Sequence, residues 1–170
     1  MSKEVLNKHK DSDYERLIIT VADNVHEKFK VIYKEKNNGT RIKATLDSNW
    51  IKKNGTNQVD LANLCYSDLP LDWKNERWHG SKVAFDEVLR VSHNSGSFND
   101  KFVEIVSHLV HEDWLSRNMS RAEQQHQLPY KFLSEAAKEK DRIFVYAAIE
   151  IFNKNCWPYG MKFEHFYCNK

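Results

Sequence analysis

A short pattern occurs twice in this chain, and it constrains the fold more than any other feature. Val25-His26-Glu27 stands near the end of an apolar-periodic run and is echoed by Val110-His111-Glu112. An aromatic-leucine stretch follows each copy: Leu64-Cys65-Tyr66-Ser67-Asp68-Leu69 after the first, Leu128-Pro129-Tyr130-Lys131-Phe132-Leu133 after the second. A charged helix start comes next, Lys74-Asn75-Glu76-Arg77 against Glu139-Lys140-Asp141-Arg142. Such a doubling predicts two related helical units packed together. It points to a binding scaffold before an enzyme.

The periodicity supplies the elements. Ile18, Ala22, Val25, Phe29 and Ile32 recur at spacings of three and four, which predicts a helix over 13–36, stopped by Asn37-Asn38-Gly39. A strand reading of residues 17–21 competes with its start. Residues 40–62 are polar and read as a long loop with a short element near Trp50. Pro70 opens a helix to about His93, with Trp73, Val83, Phe85, Val88 and Leu89 as its apolar surface and Gly80 as an interruption. His93-Asn94-Ser95-Gly96-Ser97 is a linker. The next helix spans 99–118, with Phe102, Ile105, Val106, Leu109, Val110 and Trp114 as its buried stripe. Ser134 then caps a helix to about Lys154 that buries Phe144, Ala147, Ala148, Ile151 and Phe152.

The expected fold class is all-α: two similar helical pairs packed into one compact unit, with a long loop in the first. Its parts are a flexible arm (1–12), a first unit (13–93), a linker (94–98), a second unit (99–154) and a tail (155–170). The tail carries Trp157, Tyr159, Phe163, Phe166 and Tyr167, and so many aromatic rings predict packing onto the body.

Charge and composition exclude more than they select. A net charge of +2 is too balanced to argue for nucleic acid or an anionic membrane. No apolar run approaches the roughly 18–20 residues that a membrane span needs. Three cysteines without a CxxC pair, and a hydrophilic first ten residues, predict reduced thiols in a cytoplasm. Glycine-rich phosphate loops and nucleophile elbows are absent from the sequence. No catalytic residue and no cofactor is therefore implied.

The doubled residues carry the candidate chemistry. His26 and His111, each beside a glutamate, are either ligand-contacting, titratable groups or braces bonded to the loop that follows. The same residue in both copies favours the brace. His108 and His111 lie three apart on one helix, the start of a metal site, but no second half is visible and neither His-Glu pair extends to His-Glu-x-x-His. Tyr66 and Tyr130 either stack on an aromatic ligand or anchor their loops. Arg77 and Arg142 either grip an anion or pair with an acid of their own fold.

The order of these signals resembles the ryanodine-receptor repeat domain, a small helical module found in calcium-release channels and in bacterial and phage proteins. Its pattern is a helix ending in His, an acidic residue and Trp, then a loop, a Pro-Tyr-x-x-Leu segment, and a helix opening with Lys and Asp-Arg. In the second copy these are His111 to Trp114, then Pro129-Tyr130-Lys131-Phe132-Leu133, then Lys138 to Arg142. The family's Gly-Trp-x-x-Gly segment is missing there. In the first copy Phe29 stands near the Trp position, and Asn49-Trp50 with Gly55 stands for the Gly-Trp segment. Glu76-Arg77 is then a shifted echo of Asp141-Arg142.

The resemblance implies a packing and ligand-sensing module, with nucleotide-like anions as the ligand class. The expected contacts are Trp50, Tyr66 and Arg77 in the first copy and His111, Trp114, Tyr130 and Arg142 in the second. The competing expectation is an interaction or assembly module, a homodimer built on the aromatic tail. A small metal-dependent hydrolase ranks last.

Overall fold

A computed structural model describes residues 3–36, 38–94, 96–120 and 122–155, with side chains from residue 13 onward. Among these residues the fold is all-α apart from one two-stranded ribbon. The elements are α1 (Lys3–Lys36), β1 (Ile42–Ala44), α2 (Ser48–Asn54), β2 (Gln58–Asp60), α3 (Leu71–His93), α4 (Asp100–Asn118) and α5 (Glu135–Asn155). Single 3-10 turns, Tyr66–Asp68 and Tyr130–Phe132, precede α3 and α5. No described helix is long and apolar enough to cross a membrane.

Local chemistry sets the helix ends. Asn38 adopts φ 50° and Gly39 φ 83°, and the Gly39 N–H returns to the Lys34 carbonyl at 3.1 Å. This is a Schellman ending in which Asn38 takes the left-handed position. Asn99 caps α4 by accepting from the Phe102 N–H at 3.0 Å. Ser134 accepts from the Ala137 N–H at 3.3 Å and starts α5. At its other end α1 reaches back to Lys3, so the expected flexible arm is mostly helix. No glycine or proline lies between residues 3 and 36 to stop the helix propagating toward its N-terminus.

α3 and α5 form the middle of the bundle, and α1 and α4 each pack against both. Ile18, Val21, Val25 and Phe29 come from α1, and Val103, Val106 and Val110 from α4. These stripes meet Ala84, Phe85 and Val88 of α3 and Phe144, Ala148 and Phe152 of α5. Gly80 does not interrupt α3. A Cβ built there would lie 2.7 Å from Cε1 of Phe144, so the missing side chain is what lets the Phe144 ring lie against the α3 backbone.

Two expectations need correction. Ile105 and Leu109 are not part of the buried stripe of α4; they are 49% and 39% exposed. Ser107 and His111 take the inward positions beside Val106 and Val110 instead. A helix at the flank of a bundle buries one stripe only, and Ile105 and Leu109 lie outside it. The short element expected near Trp50 is α2, but the rest of residues 40–62 is not all loop. β1 and β2 pair antiparallel, with Lys43 opposite Val59, and α2 sits between them.

This excursion is fastened to the start of α3. Asp47 caps α2 through the Asn49 and Trp50 N–H groups and also accepts from the Leu71 N–H at 2.9 Å. Those three bonds, Leu71's first, hold its carboxyl below the ordinary aspartate range. In return Asp72 accepts from the Thr45 hydroxyl at 2.6 Å and the Leu46 N–H at 2.8 Å. Val59, Leu61, Tyr66 and Leu69 make a small second core beneath, with Trp50 packed against it. The expected aromatic tail lies outside the described residues.

Candidate functional site

Both histidines are buried and both brace a following loop. Nε2 of His26 lies 3.1 Å from the Leu64 carbonyl, and Nε2 of His111 lies 2.8 Å from the Leu128 carbonyl. A carbonyl only accepts, so each Nε2 carries a proton. The loops then turn through Tyr66 and Tyr130, both buried, at ring distances of 6.5 and 6.2 Å from the histidine they follow. Leu69 and Leu133 are buried next, and the helices begin two residues later.

The second ring nitrogens differ. Nδ1 of His26 has no hydrogen-bond partner. Nδ1 of His111 lies 3.4 Å from Asp141 Oδ2. Counted from the two tyrosines, Arg77 of α3 occupies the place of Asp141 of α5, so this position carries opposite charges in the two halves. Burial, with Arg77 adding to it, pushes His26 down to about 4. Burial acts on His111 in the same direction, but Asp141 and the Leu128 carbonyl outweigh it, and His111 is raised above the ordinary histidine value.

This register also corrects the matching of Arg77 with Arg142. Arg142 is one residue beyond Asp141, about 100° further round the helix, and faces away from His111. It pairs with Glu104 at 2.6 Å, Glu135 at 3.0 Å and Glu139 at 3.4 Å. Its guanidinium is held protonated, first by Glu104. Tyr130 donates to Glu104 at 3.1 Å, and burial pushes its hydroxyl up to about 12.

A cavity of about 360 Å³ lies between the helical pairs. Of the residues expected to contact a ligand, it brings together Arg77, His111 and Trp114; Trp50, Tyr66, Tyr130 and Arg142 lie outside its lining. Arg77 forms part of the wall. It is 7% exposed, its Cζ stands 4.1 Å above the Phe29 ring, and one terminal nitrogen donates to the Tyr33 hydroxyl at 3.0 Å. Its Nε has no partner.

The sequence reading missed other wall residues: Arg41 and Lys43 from the ribbon, Trp73 from α3, His126, and Lys140 with Asp141 from α5. The signal for the first two was present. Arg41-Ile42-Lys43 alternates as a strand does, which puts both cations on one face. Trp73 is positioned by its Nε1 bond to the Ala44 carbonyl at 3.0 Å.

The wall carries four cations, Arg41, Lys43, Arg77 and Lys140, against three carboxylates, Glu76, Glu123 and Asp141. Glu76 is engaged by Arg117 at 2.8 Å and by the Asn118 amide, Asp141 by His111, and Glu123 by the Gln125 amide at 2.8 Å and His126 at 4.0 Å, within the field of Lys43 and Arg41. Arg41, Lys43, Arg77 and Lys140 make no salt bridge among the described residues. Four cations beside two tryptophans form a chemistry suited to a flat anion. His108, the other half of the metal reading, points elsewhere: it is exposed, stacks on Tyr130 and pairs with Glu112 at 3.3 Å.

Neither protein-family models, curated proteins nor solved structures match this chain.

Proposed function

We propose that the chain is a non-catalytic binding module for a small anionic, nucleotide-like ligand held between its two helical pairs. The observation that carries this reading is Arg77, a nearly buried guanidinium on a cavity wall with no carboxylate partner among the described residues. A buried charge left unpaired costs stability, and such a cost is commonly retained for a ligand. Trp73 and Trp114 add aromatic faces on which a flat ring stacks.

In this reading the two helical pairs are diverged copies of one unit, of the ryanodine-receptor repeat type. Support comes from the matched histidine-to-leucine-carbonyl bonds, the matched tyrosine turns and the buried Leu69 and Leu133. The expected two separate contact sets then become one asymmetric cavity shared by both copies.

A thermal-shift screen against nucleotides, cyclic nucleotides and dinucleotides tests the proposal. A ligand at 100-fold its dissociation constant adds about 2.7 kcal/mol if it binds only the folded state. The expected result is a clear rise in melting temperature that Arg77→Met abolishes while circular dichroism stays unchanged. A flat screen, or a hit untouched by Arg77→Met, would sink it.

A second reading, an interaction surface, is favoured by exposed Ile105, Leu109, Leu128 and Phe132. Stacking of His108 on Tyr130 brings their segments to one side. It predicts a molecular mass that rises with concentration and falls on Phe132→Ser.

A further inference from the structure

His111 and Asp141 together need one proton to satisfy the contacts between them. The histidine's Nε2 faces the Leu128 carbonyl at 2.8 Å and its Nδ1 faces the Asp141 carboxylate at 3.4 Å. With Asp141 ionised both are acceptors, so both ring nitrogens are called on to donate, and only the imidazolium can; with Asp141 protonated its O–H donates to Nδ1 instead, and either way the pair holds one proton. The ring is also part of the cavity wall, stacked on Trp114 at 6.2 Å and 23°. His26, whose Nδ1 meets nothing, is no part of that wall.

Resting on the anion-binding reading above, we propose that the cavity takes up its ligand together with a proton shared by His111 and Asp141. The groups around His111 make the direction clear. Asp141 faces it from α5, with Lys140 beside it. His126 acts on it from the turn before Tyr130, and Glu112 from its own helix. From α3, Arg77 and the already paired Glu76 share its cavity, as does Glu123, which lies beside His126.

With one proton on the pair, His111 and Asp141 sum to zero and the unpaired cations set the cavity's potential. When that proton leaves, from whichever of the two atoms holds it, the pair becomes a net negative charge on the wall and repels an anion. Anion affinity therefore falls as pH rises through the range in which the pair titrates. By linkage, a bound anion must tighten the proton's hold by the same factor.

The full chain is tested with naphthalene-1,5-disulfonate, which is flat and keeps its charge throughout the range used. Calorimetry from about pH 5.5 to about pH 8.5, spanning ordinary histidine titration, is run in buffers of different ionisation enthalpy. The expected result is about tenfold weaker binding at the alkaline end, with net proton uptake on binding at intermediate pH. His111→Gln should bind with little pH dependence, whereas His126→Gln should keep it. Because His111→Gln removes a loop brace, imidazole NMR of the unaltered chain supplies an independent readout: the His111 midpoint should rise when the probe is added. Binding that is flat with pH, with an unmoved His111 midpoint, overturns this inference and leaves the anion reading standing. pH dependence that vanishes in His126→Gln but survives in His111→Gln also overturns it. No binding at any pH overturns both.

Discussion

The two helical pairs solve the same local problem with opposite electrostatics. In each, a histidine near the end of a long helix bonds the carbonyl that precedes a tyrosine turn, and a buried leucine then leads into the next helix. The contrast lies at one position of that next helix. Arg77 stands near His26 in the first pair, and Asp141 stands against His111 in the second. The first histidine is held neutral, by burial first and Arg77 second, and the second is favoured as a cation by Asp141. A shared scaffold fixes where the rings sit and burial disfavours charge on both, while the facing side chain adds to that effect at His26 and opposes it at His111. The cavity between the pairs exists in its present form because the two halves differ: Arg77 keeps its charge free, and Asp141 spends its own on His111.

The largest effect should appear on the acid side. His26 is neutral in the folded chain down to about 4, whereas an unfolded histidine takes up a proton near 6.5. Between these values the unfolded state binds more protons, so stability falls as pH drops from 6.5 toward 4, by about 3 kcal/mol. Below that window the contribution is constant. Urea unfolding across this range should show the loss, and His26→Gln should flatten it. An unchanged slope in the variant would mean that the first histidine is not held neutral.

Next in size is the contact between the central helices. Gly80→Ala gains helix propensity worth about 1 kcal/mol, but its methyl group meets the Phe144 ring at 2.7 Å. Overpacking of a core costs about 1–3 kcal/mol, and a contact this short belongs at the upper end, so a net loss of about 1–2 kcal/mol is expected. Adding Phe144→Leu should recover part of it. Chemical denaturation of the two single variants and the double variant would expose strict additivity, which would contradict the close approach.

A smaller effect of opposite sign belongs to the alkaline side. His111 is raised in the folded chain, so its contribution is fully present below about 6.5, the unfolded histidine value, and is lost as pH rises through the folded value. Asp141→Asn should remove this trend, read from melting temperature against pH. The smallest change is expected from Arg142→Ala. Arg142 pairs with carboxylates that are about half or more exposed, and exposed pairs contribute little. The loss should be less than half of that from Gly80→Ala, with ligand binding unaffected.

Much of the scaffold was legible in the sequence because helices announce themselves locally. The three- and four-residue spacing of Ile18, Ala22, Val25 and Phe29, the cap at Ser134 and the stop at Asn38-Gly39 all act within a few residues. Ile105 and Leu109 misled because apolar character does not say which face a neighbour covers. Arg142 misled because a charged pair reads alike one residue out of register, while the fold counts from the buried Leu69 and Leu133. The cavity was the least legible part. Its cations come from the ribbon, α3 and α5, and only the fastening of Asp47 and Asp72 brings the ribbon to the helices.

The central claim is that matched histidines hold opposite charge states. Imidazole NMR across a pH titration tests it most directly. His26 should stay neutral, protonated on Nε2, down to about 4, while His111 should titrate above the ordinary histidine value. Two midpoints together near about 6.5 would contradict it.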